Sequence, residues 1–325
     1  MLTAEPMVRA LRRSFLAGAA GALLAALLPD EAEASVPTKI RAIDASPLGT
    51  TFELGLLHAP FPSNGGIYTD DTVLAFVPAH YRLPKNNAVD FVVHFHGHTA
   101  TAKVAIAQHK LREQLRESRQ NAVLVVPQGP VNAADGDFGK LMAKGGLGRM
   151  LTELRSVIAS GKATDALGDA ALDGATRTGR ALLSAHSGGY HATAACLRHD
   201  TGDIREVFLF DALYDEVETF RDWMVDSPKH KKIVAYYVSG KPRELCLRLA
   251  NELEAKGVEV LREKNGERLS RAALTRGRAV FLEGHATHGT APFEEHALRD
   301  CLFASCLRGR GSEKWFAEKE LPRSS

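Results

Sequence analysis

The sequence predicts an α/β protein built on a mostly parallel sheet with helices packed against it. Short runs rich in β-branched and aromatic residues alternate with longer stretches of helical periodicity, which is typical of a wound sheet. Several of the short runs are apolar throughout, which indicates strands that are covered on both faces. With 325 residues, of which 45% are hydrophobic, the chain is long enough for one large core and at most two domains.

The predicted strands and helices alternate along most of the chain. The runs TFELGLL and TVLAFVP predict antiparallel strands, because no segment of helical length separates them, and VDFVVHFH predicts a buried central strand. The segment ATAKVAIAQHKLREQLRESR predicts one amphipathic helix. The remaining elements are strand AVLVVPQ, helix LGRMLTELRSVIAS, strand RALLSA, helix GGYHATAACLRH, strand EVFLFD, helix EVETFRDWMVD, strand KIVAYYVSG, helix PRELCLRLANELEAKG, strand RAVFLEG and the closing helix PFEEHALRDCLFASCL. Since no internal repeat or low-complexity linker interrupts them, residues 35–325 are predicted to form a single domain.

The N-terminal residues 1–34 have the pattern of a signal peptide. Arg12 and Arg13 precede an apolar run at residues 15–28, and an Ala-Glu-Ala sequence follows. The run is shorter than the roughly 20 residues that a membrane-spanning helix needs, so a cleaved peptide is favoured over a membrane anchor. The adjacent arginines resemble the twin-arginine signal of bacteria, which predicts export to the periplasm or the medium.

Charge and cysteine content exclude several classes of protein. The 41 basic and 39 acidic residues nearly balance, so no electrostatic footprint for nucleic acid is present. The absence of a C-x-x-C motif argues against a zinc ribbon or a thioredoxin-like site. Buried structural thiols are expected, although an exported protein could form one or two disulfides, and Cys301 and Cys306 are expected on one helix. The four cysteines are Cys196, Cys246, Cys301 and Cys306.

Ser187 is the candidate nucleophile. It lies in the pentapeptide Ala185-His186-Ser187-Gly188-Gly189, after a predicted strand and at the start of a predicted helix. A sharp turn between strand and helix requires small residues two positions before and two positions after the nucleophile. The helix N-terminus adds partial positive charge where an oxyanion would form. The alternative interpretation is that Gly and Ser simply punctuate two elements.

A serine hydroxyl needs a base and an acid to become reactive. His285 and His288 both follow the last strand, and His288 is preferred because it lies further past the strand end. Asp211 ends the strand EVFLFD, where an unpaired carboxylate would cost several kcal/mol. Asp215 is the second candidate acid, and a helix-capping or structural role for Asp211 is the alternative.

Two backbone N–H groups are candidates for an oxyanion hole. One belongs to Gly188, the residue after the candidate nucleophile. The other belongs to His98, in the turn after VDFVVHFH, where Gly97 would permit the required backbone path.

The pattern resembles the α/β-hydrolase superfamily over essentially the whole chain after residue 34. The strand with its His-Gly turn, the small-His-Ser-Gly-Gly motif, the acid and the histidine occur in the order Ser, Asp, His. The resemblance implies a mostly parallel eight-stranded sheet with helices on both faces, a triad on loops at its carboxyl edge, and no cofactor. Two departures are Ala185 in place of the first glycine and an acid one strand earlier than in most members. The expected activity is that of a serine esterase, acting through an acyl-enzyme on a small-molecule or envelope-derived ester.

Three other functions remain open at this point. The triad would equally suit an amidase or peptidase acting on cell-envelope material, and a hydrolase scaffold can also serve as a non-catalytic binding protein. His94, His96 and His98 alternate along a predicted strand, so that their side chains would share one face and could bind a metal ion in a metallohydrolase. No downstream carboxylate cluster completes such a ligand set, and a hydrogen-bonded His94 with an orienting His96 is the simpler expectation.

The segment at residues 128–146 is a long predicted connection between a strand and a helix. It is rich in Gly, Asp and Asn and contains Lys140 and Lys144. A connection of this length is often functional, so it is expected either to cover a substrate cleft or to be simply mobile. Lys140 would favour an acidic substrate if it faces that cleft, and otherwise it is an exposed surface lysine.

Overall fold

The computed structural model describes residues 38–199, 202–226, 230–266 and 270–309. The predicted signal peptide at residues 1–34 lies outside these ranges and stays a prediction, as does the single domain predicted for residues 35–325. Within the described ranges, no helix combines the length and the apolar character that crossing a bilayer requires.

In the described ranges, ten strands form one sheet in the order β1-β2-β3-β5-β4-β6-β7-β8-β10-β9. The strands are β1 Lys39–Ser46, β2 Gly49–Gly55, β3 Thr72–Pro78, β4 Ala88–Phe95, β5 Val123–Pro127, β6 Arg177–His186, β7 Asp203–Phe210, β8 Lys232–Tyr237, β9 Val260–Gly266 and β10 Ala279–Gly284. Strands β1 and β3 run against the direction of the others. From β5 through β9 every neighbouring pair is parallel. The predicted mostly parallel sheet is therefore confirmed, and the antiparallel pairing of TFELGLL with TVLAFVP is confirmed as the pairing of β2 with β3.

Helices cover both faces of the sheet. They are α1 Ala102–Gln108, α2 Leu111–Ser118, α3 Gly146–Ile158, α4 Gly161–Leu167, α5 Tyr190–His199, α6 Val217–Asp226, α7 Gly240–Ala255, α8 Arg271–Arg276 and α9 Ala297–Phe303. Alternate strand residues enter two separate cores, as in β3, where Val73 belongs to one core and Leu74 to the other. Helices α3 to α7 pack into the first core, and α1, α2, α8 and α9 pack into the second. This arrangement agrees with the α/β-hydrolase fold that the sequence resembles.

The expectation of eight strands is wrong because two edge strands have no apolar run in the sequence. Strand β1 (KIRAIDAS) is mostly exposed, and β9 (VLREKNG) is rich in charged and polar residues. Edge strands have one solvent-facing side, and charged side chains there discourage pairing with other molecules. Such strands therefore lack the apolar signature by which the central strands are recognised.

Two helix predictions are also wrong in extent. The single helix predicted after β4 is two helices, because Lys110 between them has a left-handed backbone with φ +48°. Within the predicted closing helix, the α-helix extends only from Ala297 to Phe303. Cys301 lies on this helix, whereas Cys306 lies beyond its end. Cys196, Cys246 and Cys301 are buried as expected, whereas Cys306 is half-buried.

Candidate active site

The backbone at Ser187 turns sharply between β6 and α5. Ser187 has φ +52°, a left-handed conformation that is uncommon outside glycine and is a source of strain. It begins a single 3₁₀ turn that continues directly into α5. A side chain at Gly189 would collide with the carbonyl oxygen of Phe95, and Ala185 is completely buried. The steric demand for small residues on both sides of Ser187 is therefore real, and Ala185 meets it as well as glycine would.

The turn after β4 lies directly against the Ser187 side chain. An ideal Cβ atom placed on Gly97 would be 2.6 Å from Cβ of Ser187 and 3.1 Å from its Oγ. The next residue, His98, is exposed on this turn. In the described part of the chain, neither the N–H group of His98 nor that of Gly188 has a hydrogen-bond partner. Two free donors thus lie on the two turns that meet at Ser187.

Asp211 and His288 form a hydrogen-bonded pair at the same edge of the sheet. Nδ1 of His288 lies 2.6 Å from Oδ2 of Asp211. The Asp211 side chain is only 6% exposed, whereas that of His288 is 47% exposed. The N–H group of Val238 donates to Oδ1 of Asp211 at 3.0 Å, and the Asp211 N–H group donates to the Tyr236 carbonyl at 2.7 Å. A carboxylate held in this way fixes one ring nitrogen of His288 as the proton donor, which leaves Nε2 free to act as a base.

The geometry distinguishes between the pairs of candidates that the sequence left open. Asp215 is exposed, and its Oδ1 accepts the N–H group of Glu216 instead of a histidine. His285 is also exposed, and the structure gives it no contact with Ser187 or Asp211. Of the four candidates, Asp211 and His288 are the two that the structure brings together.

His186, the residue before Ser187, contacts His288 directly, which the sequence did not predict. Its Nε2 atom lies 2.7 Å from the carbonyl oxygen of His288, and the two ring centroids are 4.8 Å apart. Burial lowers the pKa of His186 to about 4, so the ring is neutral at pH 7. His186 lies inside the Ala-His-Ser-Gly-Gly motif, but nothing in that motif marks a contact with His288. The main chain of His288 is thus attached to the residue adjacent to the candidate nucleophile.

The hydrogen bond between Ser187 and His288 that would complete the candidate triad is not formed in this structure. Among the described residues, no hydrogen bond joins Oγ of Ser187 to His288 or to any other side chain. Ser187 is partly exposed at the surface, and its hydroxyl can move between staggered rotamers about a single bond. Hydrogen bonds of this kind are often long or poorly aligned until substrate is bound.

His94, His96 and His98 do not share one face, so that expectation is wrong. Strand β4 ends at Phe95, before His96 and His98. His94 shares hydrogen bonds with Ser184 Oγ at 2.9 Å and with His109 Nδ1 at 3.2 Å. Burial lowers the pKa values of both His94 and His96.

His96 acts as a brace for the turn next to Ser187. Its Nδ1 atom donates to the Gly97 carbonyl at 2.9 Å, and its Nε2 atom accepts the Gly129 N–H group at 2.8 Å. Both ring nitrogens are therefore engaged with the backbone, which is the orienting role that the sequence suggested for His96. Within the described ranges, no group of three His, Cys, Asp or Glu side chains is placed to hold a metal ion.

The segment at residues 128–146 packs against the turn that carries Ser187. The Gly136 N–H group donates to the Gly188 carbonyl at 3.1 Å, and the Tyr190 hydroxyl donates to Asp135 Oδ1 at 3.1 Å. The segment includes a buried Phe138 and a 3₁₀ turn at Gly139–Met142. It is thus anchored at several points.

Within the described ranges, neither lysine of this segment has a hydrogen bond to Ser187. Lys140 donates through Nζ to the Leu57 carbonyl at 2.9 Å, and Lys144 is exposed. A role of residues 128–146 in covering a cleft stays a prediction.

Among known proteins, the chain is similar to several solved structures. No protein-family model matches the chain, and no curated protein sequence matches it. A feruloyl esterase module from Clostridium thermocellum is 13% identical and has a TM-score of 0.49, and the match covers 86% of this chain and 98% of that one. An S-formylglutathione hydrolase from Agrobacterium tumefaciens is 11% identical with a TM-score of 0.43, covering 82% of this chain and 96% of that one. An S-formylglutathione hydrolase from Staphylococcus aureus is 9% identical with a TM-score of 0.44, covering 83% and 100%.

Proposed function

We propose that the protein is an exported serine hydrolase that cleaves carboxylic esters through a Ser187-His288-Asp211 triad. The observation that carries the proposal is the 2.6 Å hydrogen bond between His288 and Asp211. The loop of His288 is also hydrogen-bonded to His186, the residue next to Ser187. The strained backbone of Ser187 and the two free N–H groups beside it support the same reading. The arginine pair and apolar run within residues 1–34 support export.

In the first half of the reaction, Oγ of Ser187 attacks the ester carbonyl carbon while Nε2 of His288 takes the hydroxyl proton. Asp211 holds Nδ1 of His288 and stabilises the positive charge that forms on the ring. The carbonyl oxygen becomes an oxyanion that accepts hydrogen bonds from the N–H groups of Gly188 and His98. When the tetrahedral intermediate collapses, His288 returns the proton to the leaving alcohol, and the acyl group stays on Ser187.

In the second half, water replaces the alcohol. Its oxygen attacks the acyl carbon as His288 removes one proton, and the carbon–oxygen bond to Ser187 then breaks. The proton passes from His288 to the Ser187 oxygen, the carboxylic acid leaves, and the enzyme returns to its starting state. Every atom in the cycle comes from the ester, from water or from the triad.

The proposal is tested with a fluorophosphonate probe and short-chain p-nitrophenyl esters. The wild-type protein is expected to form one covalent adduct at Ser187 and to release p-nitrophenol, and Ser187→Ala is expected to lose both activities. Ser156→Ala is the matched control, because Ser156 is exposed on α3 and its hydroxyl bonds only the Thr152 carbonyl. Undiminished labelling of Ser187→Ala would overturn the proposal. A folded wild-type protein that is inert to both reagents would favour the non-catalytic binding protein instead.

The same experiment separates esters from amides. A triad can in principle cleave both bonds, so p-nitroanilides and short envelope-derived peptides are tested beside the esters. Turnover of the amide substrates at rates comparable to the esters would favour the amidase or peptidase.

A further inference from the structure

We propose that His186 is a positioning residue whose side-chain N–H group holds the main chain of His288 at the correct distance from Ser187. This inference rests on the proposed function and adds a fourth residue to the three of the proposed triad. His186 does not touch the reacting atoms in this role, since it acts through the backbone of the base.

The direction of the hydrogen bond follows from its acceptor. A carbonyl oxygen can only accept, so the 2.7 Å contact between Nε2 of His186 and the His288 oxygen requires a proton on Nε2. His186 is the last residue of β6 and Ser187 follows it directly. The bond therefore links the base to the strand that carries the nucleophile, across 102 positions in the sequence.

Two other anchors of the His288 loop lead to different strands. Asp211, at the end of β7, holds the His288 ring, and the hydroxyl of Tyr236, in β8, accepts the Ala286 N–H group at 3.0 Å. Neither contact involves β6. A small shift of β7 and β8 relative to β6 would carry the His288 ring away from Ser187, and the bond from His186 opposes that shift.

The surroundings of His186 keep its ring in one orientation and uncharged. The residue is only 8% exposed, and its ring meets that of His109 edge to face at a centroid distance of 4.7 Å. His109 is held in turn by its hydrogen bond to His94. Because burial lowers the pKa of His186 to about 4, it places no positive charge beside His288 at neutral pH. A charged neighbour would make it harder for His288 to accept a proton.

Two substitutions of His186 distinguish an effect of the hydrogen bond on kcat from an effect of packing. His186→Leu fills the buried site but has no donor, whereas His186→Gln retains a side-chain N–H group. His186→Leu is expected to lose roughly ten- to a hundred-fold in kcat with little change in KM, because a small misplacement of the base weakens proton transfer. His186→Gln is expected to recover most of that loss. The rate of fluorophosphonate labelling at Ser187 should follow the same order, since it needs the base but no specific substrate.

Phe52→Leu is the matched control for packing. It removes a fully buried ring from β2, and β3, β5 and β4 separate that strand from β6 in the sheet. Its kcat is expected to equal that of the wild type at a temperature where circular dichroism shows all variants folded. An equal loss of kcat in Phe52→Leu would assign the effect to packing and overturn the inference. Full kcat in His186→Leu, or equal losses in the Leu and Gln variants, would overturn it as well.

A measurement on the unmodified protein does not depend on the folding of any variant. With 15N-labelled histidine, Nε2 of His186 is expected to carry the proton at neutral pH, and a proton on Nδ1 alone would overturn the inference. Failure of the proposed function gives a different result, namely a wild-type protein that the fluorophosphonate does not label at Ser187.

Discussion

Replacing Gly97 by alanine tests whether the turn after β4 must lie in contact with Ser187. The added Cβ atom would be 2.6 Å from Cβ of Ser187 and 3.2 Å from the carbonyl oxygen of His186. Carbon atoms in contact are normally about 3.5–4.0 Å apart, so the turn or the serine has to move by about 1 Å. Neither neighbour is the end of a flexible side chain, so the backbone itself must yield.

The expected effect is larger on catalysis than on stability. A displacement of about 1 Å at a reacting group can cost a factor of about 100 in rate. Overpacking of this kind costs roughly 1–3 kcal/mol in the free energy of unfolding. We therefore expect Gly97→Ala to remain folded in water while kcat/KM falls by about two orders of magnitude.

The assay compares p-nitrophenyl ester hydrolysis and urea unfolding for the variant and a matched control. Gly174→Ala is the control, since an added Cβ there meets no atom within 4 Å, and it should leave both quantities unchanged. A folded Gly97→Ala enzyme that retains the wild-type kcat/KM would show that the turn does not constrain Ser187, and the site as described would then be wrong.

Two further predictions concern the acid and the buried histidines. Asp211→Asn is expected to lower kcat by about three to four orders of magnitude, because the amide favours the wrong tautomer of His288, while Asp215→Asn should retain it. Equal losses in the two variants, measured by ester hydrolysis, would contradict the assignment of the acid. Burial lowers the pKa of His109 to about 3 and that of His186 to about 4, below the value of 6.5 expected in the unfolded chain. The unfolded chain thus binds more protons below pH 6.5, and the free energy of unfolding is expected to fall between pH 6.5 and pH 4, by on the order of 2 kcal/mol per histidine at pH 5. Urea titrations at several pH values measure this slope, which should be shallower in His186→Gln; an unchanged slope would contradict the contribution of His186.

The local sequence predicts where the candidate residues lie relative to the strands, but it does not predict which of them are in contact. Ser187, Asp211 and His288 each follow an apolar strand, and the carboxyl ends of parallel strands meet at one edge of a sheet. The choice between Asp211 and Asp215 depends on which carboxylate lies within hydrogen-bond distance of His288. The order of the strands does not specify that distance. The contact between His186 and His288 joins two distant positions, and no local pattern marks it.

The same distinction explains which strands and helices the sequence predicts correctly. Central strands such as β4 and β5 are recognised because both faces are buried, so most of their residues are apolar. The edge strands β1 and β9 form because a neighbour offers unpaired backbone groups, and their own composition gives little indication of it. The break between α1 and α2 likewise depends on the backbone conformation of one lysine, in a stretch whose periodicity suits one continuous helix.

The burial of three of the four thiols bears on where the chain can acquire its final form. Buried thiols are typical of proteins that fold in a reducing cytosol, whereas disulfides form in oxidising compartments. A chain that leaves the cell already folded, as the arginine pair predicts, would depend on this property. By the same reasoning, dithiothreitol in the storage buffer should not harm the enzyme.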